Sequence, residues 1–382
     1  MCVFFFLTLQ GIHNKQVQRL SARIRLQEQS QSAIEYLLFK GFETKHQEQF
    51  AEIPYLEGLL FYYEKKYLGQ YQKIKLLAAN RADTLSFDFL IAASIPINNR
   101  YGLQLKDYNK PLNLSGATLI TGQCVYPKRG IEKIYINTIG YSGSYSEQYT
   151  DTLNMDLVKN NFLSSQTHTS TEMTALNSQH NSFNAPVLRH HSLQAIQLQN
   201  ISLSGNILLE SDSSIHVKEG VSLDHVSLKA PTVVFENASE YRVHVYASDT
   251  LLLGEGVVLS YPSSLVVEEK NKPAYLECAP KASVSGVLKF IGKNLGTNSQ
   301  VDVRLAKEST LYGELYIRNA VLANRAKIYG TAVVDKMILK TRGTLYQSAL
   351  LNAYINPVQL PEEYLFTLPH KAQNFKILQW LH

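Results

Sequence analysis

The sequence predicts a mainly β protein: a parallel β-helix (β-solenoid) preceded by a long N-terminal α-helix and a small α+β connector. Three similar triplets carry this prediction, because Leu311-Tyr312-Gly313, Ile328-Tyr329-Gly330 and Leu345-Tyr346-Gln347 start seventeen residues apart. A fixed period near twenty residues, filled with short β-branched and aromatic runs, is typical of a solenoid. Seventeen residues fit a coil of three short strands, so we expect three faces.

The chain divides into six predicted segments. They are residues 1–50 (apolar start and amphipathic helix), 51–110 (α+β connector), 111–138 (first solenoid coil), 139–192 (polar insertion), 193–356 (main β-solenoid) and 357–382 (C-terminal cap). A chain of 382 residues is long for one domain. The core of a solenoid grows along one axis, however, so a solenoid domain can be longer than an ordinary domain.

Composition and charge exclude some classes of protein. Hydrophobic residues make up 45% of the chain, which is normal for a folded protein. The net charge of +5 is spread out, with no block of Lys and Arg, so nucleic acid is not an expected partner. Three cysteines, Cys2, Cys124 and Cys278, are too few for a disulfide framework. A Cys124–Cys278 bridge is conceivable, but two buried free thiols fit better.

Apolar residues recur at three- and four-residue steps from Asn14 to about Phe50, which predicts an amphipathic helix. The apolar run Cys2–Leu9 comes before it and is too short to span a bilayer, which needs about 20 residues. Two interpretations stay open. The run could begin a buried element, or it could be the end of a membrane segment whose start is missing from this sequence, and the second is favoured.

The stretch Gln31-Ser32-Ala33-Ile34-Glu35-Tyr36-Leu37-Leu38 resembles the segment that follows the membrane helix in minor pilins and pilus-assembly proteins. The resemblance covers about forty residues, and the processing site of that family, a Gly before Phe with Glu five residues on, is absent. It implies membrane attachment through the N-terminus, with the solenoid outside the cytoplasmic membrane. The alternative is an ordinary amphipathic helix that caps a β domain.

The same short unit occurs in other parts of the chain, as Leu114-Ser115-Gly116, Leu203-Ser204-Gly205 and Val284-Ser285-Gly286. Its first residue would point into the core and its second outward, while Gly permits a positive φ or a close backbone approach. The unit at 112–122 predicts that the solenoid begins there. Since open coils expose strand edges, we expect the N-terminal helix to cap one end and residues 357–382 the other.

Spaced Val/Ile/Leu-x-Gly units over about 160 residues resemble the polymer-forming bactofilin family and related parallel β-helix proteins. The resemblance implies a coiled, self-associating scaffold, although this chain has longer flanks and a larger insertion than bactofilins. Strict hexapeptide repeats, which would indicate a left-handed coil, are absent. The sequence therefore favours a right-handed solenoid.

Few residues are candidates for chemistry. His190-His191, with His168 and His180, lack metal-site spacing, so exposed histidines are the better interpretation. Asp224-His225, and Asp302 with Arg304, could be acid–base partners, but surface charge is again the better interpretation. We therefore expect no catalytic, cofactor or metal site.

The column Tyr312, Tyr329 and Tyr346 is the most informative candidate. It could be an outward aromatic strip for sugar rings or a protein partner, or a ladder that stacks successive coils. The predicted function is a non-enzymatic structural or adhesive protein of the cell envelope, and a pilus-like or secretion assembly is one setting for it. Its expected partners are proteins, its own copies or glycans. The alternatives are a cytoplasmic bactofilin-like scaffold and a carbohydrate-active β-helix enzyme.

Overall fold

The computed structural model describes residues 2–40, 51–52, 60–80, 83–147, 170–172, 176–236, 238–292, 303–323, 326–341, 343–367 and 374–381. These residues contain one α-helix, α1 (Cys2–Lys40), and two short 3₁₀ helices (Ile97–Asn99 and Pro357–Gln359). The rest of the regular structure is β. The prediction of a mainly β protein with an N-terminal helix is confirmed.

The first fifteen strands in chain order are β1 (Ala51–Glu52), β2 (Leu60–Leu68), β3 (Tyr71–Ala79), β4 (Thr84–Ser94), β5 (Tyr101–Leu105), β6 (Leu112–Ser115), β7 (Leu119–Ile120), β8 (Gln123–Val125), β9 (Ile131–Lys133), β10 (Ser144–Tyr145), β11 (Ser170–Glu172), β12 (Gln179–Asn181), β13 (Val187–Ser192), β14 (Ile196–Leu198) and β15 (Ser202–Gly205). The others are β16 (Ile207–Ser211), β17 (Ser214–Val217), β18 (Ser222–Phe235), β19 (Glu240–Leu253), β20 (Val258–Glu268), β21 (Tyr275–Cys278), β22 (Ser283–Ile291), β23 (Val303–Leu305), β24 (Thr310–Ala323), β25 (Lys327–Lys340), β26 (Leu345–Gln347), β27 (Ala349–Leu351), β28 (Tyr354–Ile355), β29 (Leu365–Phe366) and β30 (Asn374–Leu381).

Strands β5 to β28 form the parallel body, a 21-stranded sheet and a 3-stranded sheet. Longer strands such as β18, β19, β20, β22, β24 and β25 pair side by side and parallel, and β26 is an antiparallel exception on β25. Partners lie a short stretch of chain apart, as Gly313 pairs with Gly330, seventeen residues later. Residues with the same position in the repeat therefore form columns across the body.

One of these columns forms the centre of the core. Leu228, Val245, Leu265, Leu288 and Leu315 are partners in successive strands, and all are fully buried. They belong to one cluster of buried apolar residues that runs through the parallel body. Since side chains alternate between the two faces of a strand, their neighbours in sequence point to the opposite side.

Three glycines form a column in the parallel body. Gly286, Gly313 and Gly330 are partners in β22, β24 and β25, with φ of 137°, 142° and 154°. A Cβ at Gly330 would lie 1.8 Å from the carbonyl oxygen of Gly313, and one at Gly313 would lie 2.0 Å from that of Gly286. This confirms the predicted role of glycine in the repeat unit, a positive φ together with close backbone contact.

The order of strands in the parallel body corrects the prediction that 111–138 is the first coil. β5 pairs with β25, β6 with β27 and β7 with β28, so these early strands follow the last repeats in space. β8, β9 and β10 then pair beyond them, on β5, β6 and β7. The repeat unit identified the strands correctly. It carried no information about which free edge they would join.

The predicted polar insertion, 139–192, is also shorter than expected at its C-terminal end. Residues 148–169 and 173–175 lie outside the described residues. Within the described part, β12 and β13 pair in parallel with β15 and β16 and so belong to the parallel body. Their polar residues misled the composition argument, because few of them face the core.

The connector and the C-terminal segment form a second, antiparallel sheet rather than an α+β unit and a separate cap. β2, β3 and β4 pair in sequence, and β1, β29 and β30 extend the sheet. The β2–β3 hairpin turns at Gly69-Gln70, where Gly69 has a φ of 58°. No α-helix occurs in the described residues between 51 and 110.

The antiparallel sheet separates α1 from the parallel body. Leu26, Ala33, Ile34 and Leu37 of α1 are buried against one face of the sheet, together with Ile74 and other apolar residues. The opposite face packs on the side of the parallel body, where Leu68, Tyr71, Leu90 and Leu381 meet Val287, Tyr316 and Val333. The sequence predicted that the N-terminal helix and the C-terminal segment cap the two ends of the parallel body. In the structure, neither α1 nor β30 does so. The sheet covers the body laterally.

Replacing Gly330 by Ala is expected to destabilise the protein. The new Cβ must displace the Gly313 backbone, and an L-residue is strained at this φ, which costs roughly 1–3 kcal/mol of unfolding free energy before the clash is counted. Thermal and urea unfolding measure the change. Gly343→Ala is the matched control, because nothing lies within 4 Å of a Cβ at that position. Equal stabilities of the two variants would contradict the role given to the glycine column.

Candidate functional site

The structure brings two of the three predicted tyrosines together. Tyr312 and Tyr329 are partners in β24 and β25, and their rings are stacked, with centroids 4.8 Å apart and planes 12° from parallel. Tyr312 is 40% exposed, so the pair lies at the surface. The predicted column is present at these two positions.

The third member of the stack is Tyr354, and Tyr346 does not join it. Tyr354 in β28 lies across the β25 edge from Tyr329, with ring centroids 5.2 Å apart at 61°. Tyr346 lies in β26, which pairs antiparallel with β25, and it packs on a separate apolar cluster with Leu339 and Leu351. The chain reverses in β26 before it returns as β28, so the seventeen-residue period fails at this point.

The stacked geometry limits what these tyrosines can bind. Tyr312 and Tyr329 each cover one face of the other ring, which leaves fewer open aromatic faces for a sugar ring. The Tyr354 hydroxyl accepts a hydrogen bond from Asn356 Nδ2 at 3.0 Å. The arrangement therefore favours a ladder that joins adjacent strands over a binding strip.

The histidine and charge candidates are dispersed. His191 Nε2 lies 3.1 Å from Asp212 Oδ1 and His180 Nδ1 lies 2.8 Å from Ser204 Oγ, while His168 and Asp302 lie outside the described residues. Arg304 pairs with Glu277 at 3.2 Å. Within the part of the chain that the structure describes, no three His, Cys, Asp or Glu side chains are grouped as metal ligands would be.

Cys124 and Cys278 are buried and free, as expected, and burial raises the pKa of Cys278 to about 12.

His225 is buried, which corrects its assignment to surface charge. Its neighbour Asp224 is exposed and pairs with Arg242 at 2.8 Å, but the His225 ring is 3% exposed, stacks on His244 and lies edge-on to Phe183. Its Nε2 is 3.1 Å from Gln379 Oε1 of β30.

Burial lowers the pKa of His225 to about 4, and Arg242 adds to this effect while Asp224 opposes it. Burial also holds the pKa of His244 well below its usual value. Both rings are therefore neutral at pH 7.

These histidines belong to a polar layer between the antiparallel sheet and the parallel body. Glu314 is fully buried and accepts hydrogen bonds from Thr367 N at 2.8 Å, from Thr367 Oγ1 at 2.9 Å and from Tyr316 Oη at 2.8 Å. Lys289 Nζ donates to Gln70 Oε1 at 2.7 Å and lies 5.7 Å from the centre of the Tyr316 ring. Burial raises the pKa of Glu314 and lowers that of Lys289 to about 8. The layer joins the two sheets through specific polar contacts.

Arg100 holds the C-terminal segment on the connector. Its side chain is buried, and its guanidinium donates to five carbonyl oxygens, those of Ile95 at 3.3 Å, Pro357 at 3.2 Å, Leu360 at 2.7 Å, Pro361 at 2.7 Å and Glu362 at 3.1 Å. A planar guanidinium suits such convergent acceptors. This contact lies next to the polar layer and places β29 and β30 on β4.

The polar layer opens at one end into a cleft of about 230 Å³, which we call the Asp88 cleft. Its walls come from β2, β3 and β4 on one side and from the loop before β13 with β16 and β18 on the other. Asp88, Lys73 and Phe183 line it, and Lys73 Nζ lies 3.1 Å from Asp88 Oδ1 and donates to Phe183 O at 3.1 Å. Sequence analysis did not predict this cleft, because its two walls come from segments about a hundred residues apart.

The first two thirds of α1 carry a surface of another kind. Six large apolar side chains there are about half exposed or more: Phe6, Leu9, Ile12, Val17, Leu20 and Ile24. The stretch from 2 to 27 also contains Lys15, Arg19, Arg23 and Arg25 but no Asp or Glu. No helix among the described residues is long and apolar enough to cross a bilayer.

We expect the buried histidines to make the protein sensitive to acid. The unfolded chain binds a proton at a histidine near pH 6.5, whereas folded His225 binds one only near pH 4. The unfolded state thus binds more protons in this range, and the unfolding free energy falls as pH falls from 6.5 to 4. A pKa difference of this size corresponds to about 3 kcal/mol of unfolding free energy.

His225→Asn removes this titration at a φ of 58° that Asn tolerates. Denaturant unfolding at pH 6.5 and at pH 4.5 should show a smaller acid loss for this variant than for the native chain. The control is Leu193→Gln, an exposed position without a titratable group, which should keep the native pH dependence. Parallel stability curves for native protein and His225→Asn would contradict this account.

No protein-family model, curated protein or solved structure matches this chain. The resemblances to bactofilins and to pilin-like proteins therefore stay predictions.

Proposed function

We propose that this chain is a non-enzymatic structural or adhesive protein of the cell envelope, held on a membrane surface by α1. In this proposal the parallel body is a right-handed, three-faced β-solenoid displayed away from the lipid. The observation that carries the proposal is that six large apolar side chains of α1 are exposed within a stretch that has four basic residues and no acidic residue.

This combination suits the interface of an anionic membrane. An amphipathic helix lies in the plane of the interface with its apolar side chains among the acyl chains and its basic side chains at the headgroups. Each Lys or Arg near an anionic surface adds about 1 kcal/mol of attraction. The last third of α1 is packed on the antiparallel sheet, so the body would be held close to the membrane.

The pairing pattern supports the solenoid part of the proposal. Parallel partners recur at short intervals along the chain, as at Leu208 with Ser227, His244 with Ser264 and Gly313 with Gly330. The inward residues of these repeats form one elongated core. Right-handed connections between parallel strands predominate in proteins, which favours the right-handed form.

Polymerisation in the manner of bactofilins has less support. The last strands of the parallel body at the β9 and β10 side are only three and two residues long. Short edge strands offer few main-chain groups for pairing and are typical of ends that avoid association. Display or adhesion by single copies, or by copies within a pilus-like assembly, fits this feature better.

Vesicle flotation tests the membrane part of the proposal. We expect the full chain to float with phosphatidylglycerol-containing vesicles, to bind phosphatidylcholine vesicles weakly, and to lose part of its binding at high salt. The triple variant Ile12→Gln, Leu20→Gln, Ile24→Gln should bind anionic vesicles at least tenfold more weakly. It should fold normally, because these side chains are already exposed.

The matched control changes two exposed apolar residues outside the helix, Leu193→Gln and Val358→Gln. This variant should float like the native chain. Failure of the native chain to float, or an equal loss in the control, would overturn the proposal. Large soluble polymers seen by sedimentation would instead support the scaffold alternative.

A further inference from the structure

We infer that the Asp88 cleft binds a neutral polyhydroxy molecule of about the size of one monosaccharide. This ligand site is independent of the membrane role proposed for α1. The argument starts from a buried carboxylate that the protein itself does not satisfy.

Asp88 is the central group of the cleft. Its side chain is fully buried, yet Oδ2 receives no hydrogen bond from any described residue. Oδ1 is 3.1 Å from Lys73 Nζ, which compensates the charge without reaching the second oxygen. A buried acceptor without a donor lowers the stability of the fold, because it has lost its hydrogen bonds to water and no protein group replaces them. The cleft next to it provides the space for a donor.

The donor on the ligand should be neutral. Lys73 already lies beside the carboxylate, and Lys75 is directly opposite Asp88 in the β3–β4 register. Lys66 also lines the cleft, paired with Glu64 at 2.9 Å. An ammonium group bound at Oδ2 would therefore lie close to the ammonium groups of Lys73 and Lys75, and the repulsion between like charges would oppose binding. A hydroxyl can donate to Oδ2 without this penalty.

The same wall also offers donors. Lys75 makes no ion pair or hydrogen bond with the described residues, and it is only partly buried, so its ammonium can reach an oxygen in the cleft. A ligand that donates to Asp88 and accepts from Lys75 must carry both functions on neighbouring atoms. A vicinal pair of hydroxyl groups has this property, since each hydroxyl both donates and accepts.

The opposite wall is mixed, because Asn184, Asn206 and Ser227 line it together with apolar side chains. The Phe183 ring lines the cleft, with Lys73 Nζ 5.1 Å from its centre, and Leu208 lies nearby. Carboxylate and ammonium groups on one side, with apolar and amide groups on the other, would suit a compact molecule that carries hydroxyl groups and a small apolar surface. The cleft volume, about 230 Å³, accommodates a single ring rather than an oligomer.

Saturation-transfer NMR on the full chain tests this inference with D-glucose, D-galactose and D-mannose as probes at millimolar concentration. At least one hexose should give a signal, and Asp88→Asn should weaken its affinity at least tenfold, since a charged acceptor is replaced by a neutral one. Lys75→Gln should weaken it several-fold. Lys281→Gln, at an exposed lysine paired with Glu255 on another part of the body, should change nothing.

Asp88→Asn leaves Lys73 without its counter-ion and could destabilise the protein, so thermal unfolding is measured alongside. Lys75→Gln gives an independent test, because its side chain supports no internal contact. No signal from any of the three hexoses would overturn the inference, and so would a signal unaffected by both cleft variants. Binding of putrescine or inorganic phosphate in the cleft without binding of a hexose would also overturn it, since it would assign the site to an ion.

Discussion

The fold depends on the coverage of one side of the parallel body by the antiparallel sheet. Outward side chains on that side, among them His244, Lys289 and Glu314, are buried and could not be left without partners. Removing two charged groups from water is expensive, and attraction offsets this only where hydrogen bonds complete their shells. Gln70, Tyr316 and Thr367 supply such bonds. The two sheets are therefore held together by specific polar contacts as well as by apolar packing.

This docking positions the exposed part of α1 and the Asp88 cleft. Arg100 binds the segment just before β29, and β29 and β30 both pair with β4. The antiparallel sheet is therefore complete only when the C-terminal strands have joined β4. One face of the sheet then holds the last third of α1, which leaves the apolar row of the helix exposed. The other face carries Asp88, which lines the cleft between the two sheets. The exposed part of α1 and the Asp88 cleft therefore both depend on the placement of the antiparallel sheet.

The sequence predicted what local spacing controls and missed what distant pairing controls. The seventeen-residue period correctly aligned Tyr312 with Tyr329 and Gly313 with Gly330, because each partner lies one repeat away. It failed at Tyr346, where an antiparallel strand interrupts the series, and for β6 and β7, whose partners lie more than two hundred residues later. The buried state of His225 depends on β30, and the cleft depends on two remote walls. No motif records such contacts.

The most direct test of the account is whether α1, and not the parallel body, enters a membrane. A chain with Cys2→Ser would carry an environment-sensitive fluorophore on Leu20→Cys or, separately, on Leu193→Cys, because Cys124 and Cys278 are buried and should not react. On addition of anionic vesicles, the account predicts a blue shift and higher emission for the label at position 20, and no change for the label at 193. An unchanged spectrum at position 20, or equal shifts at both positions, would contradict it.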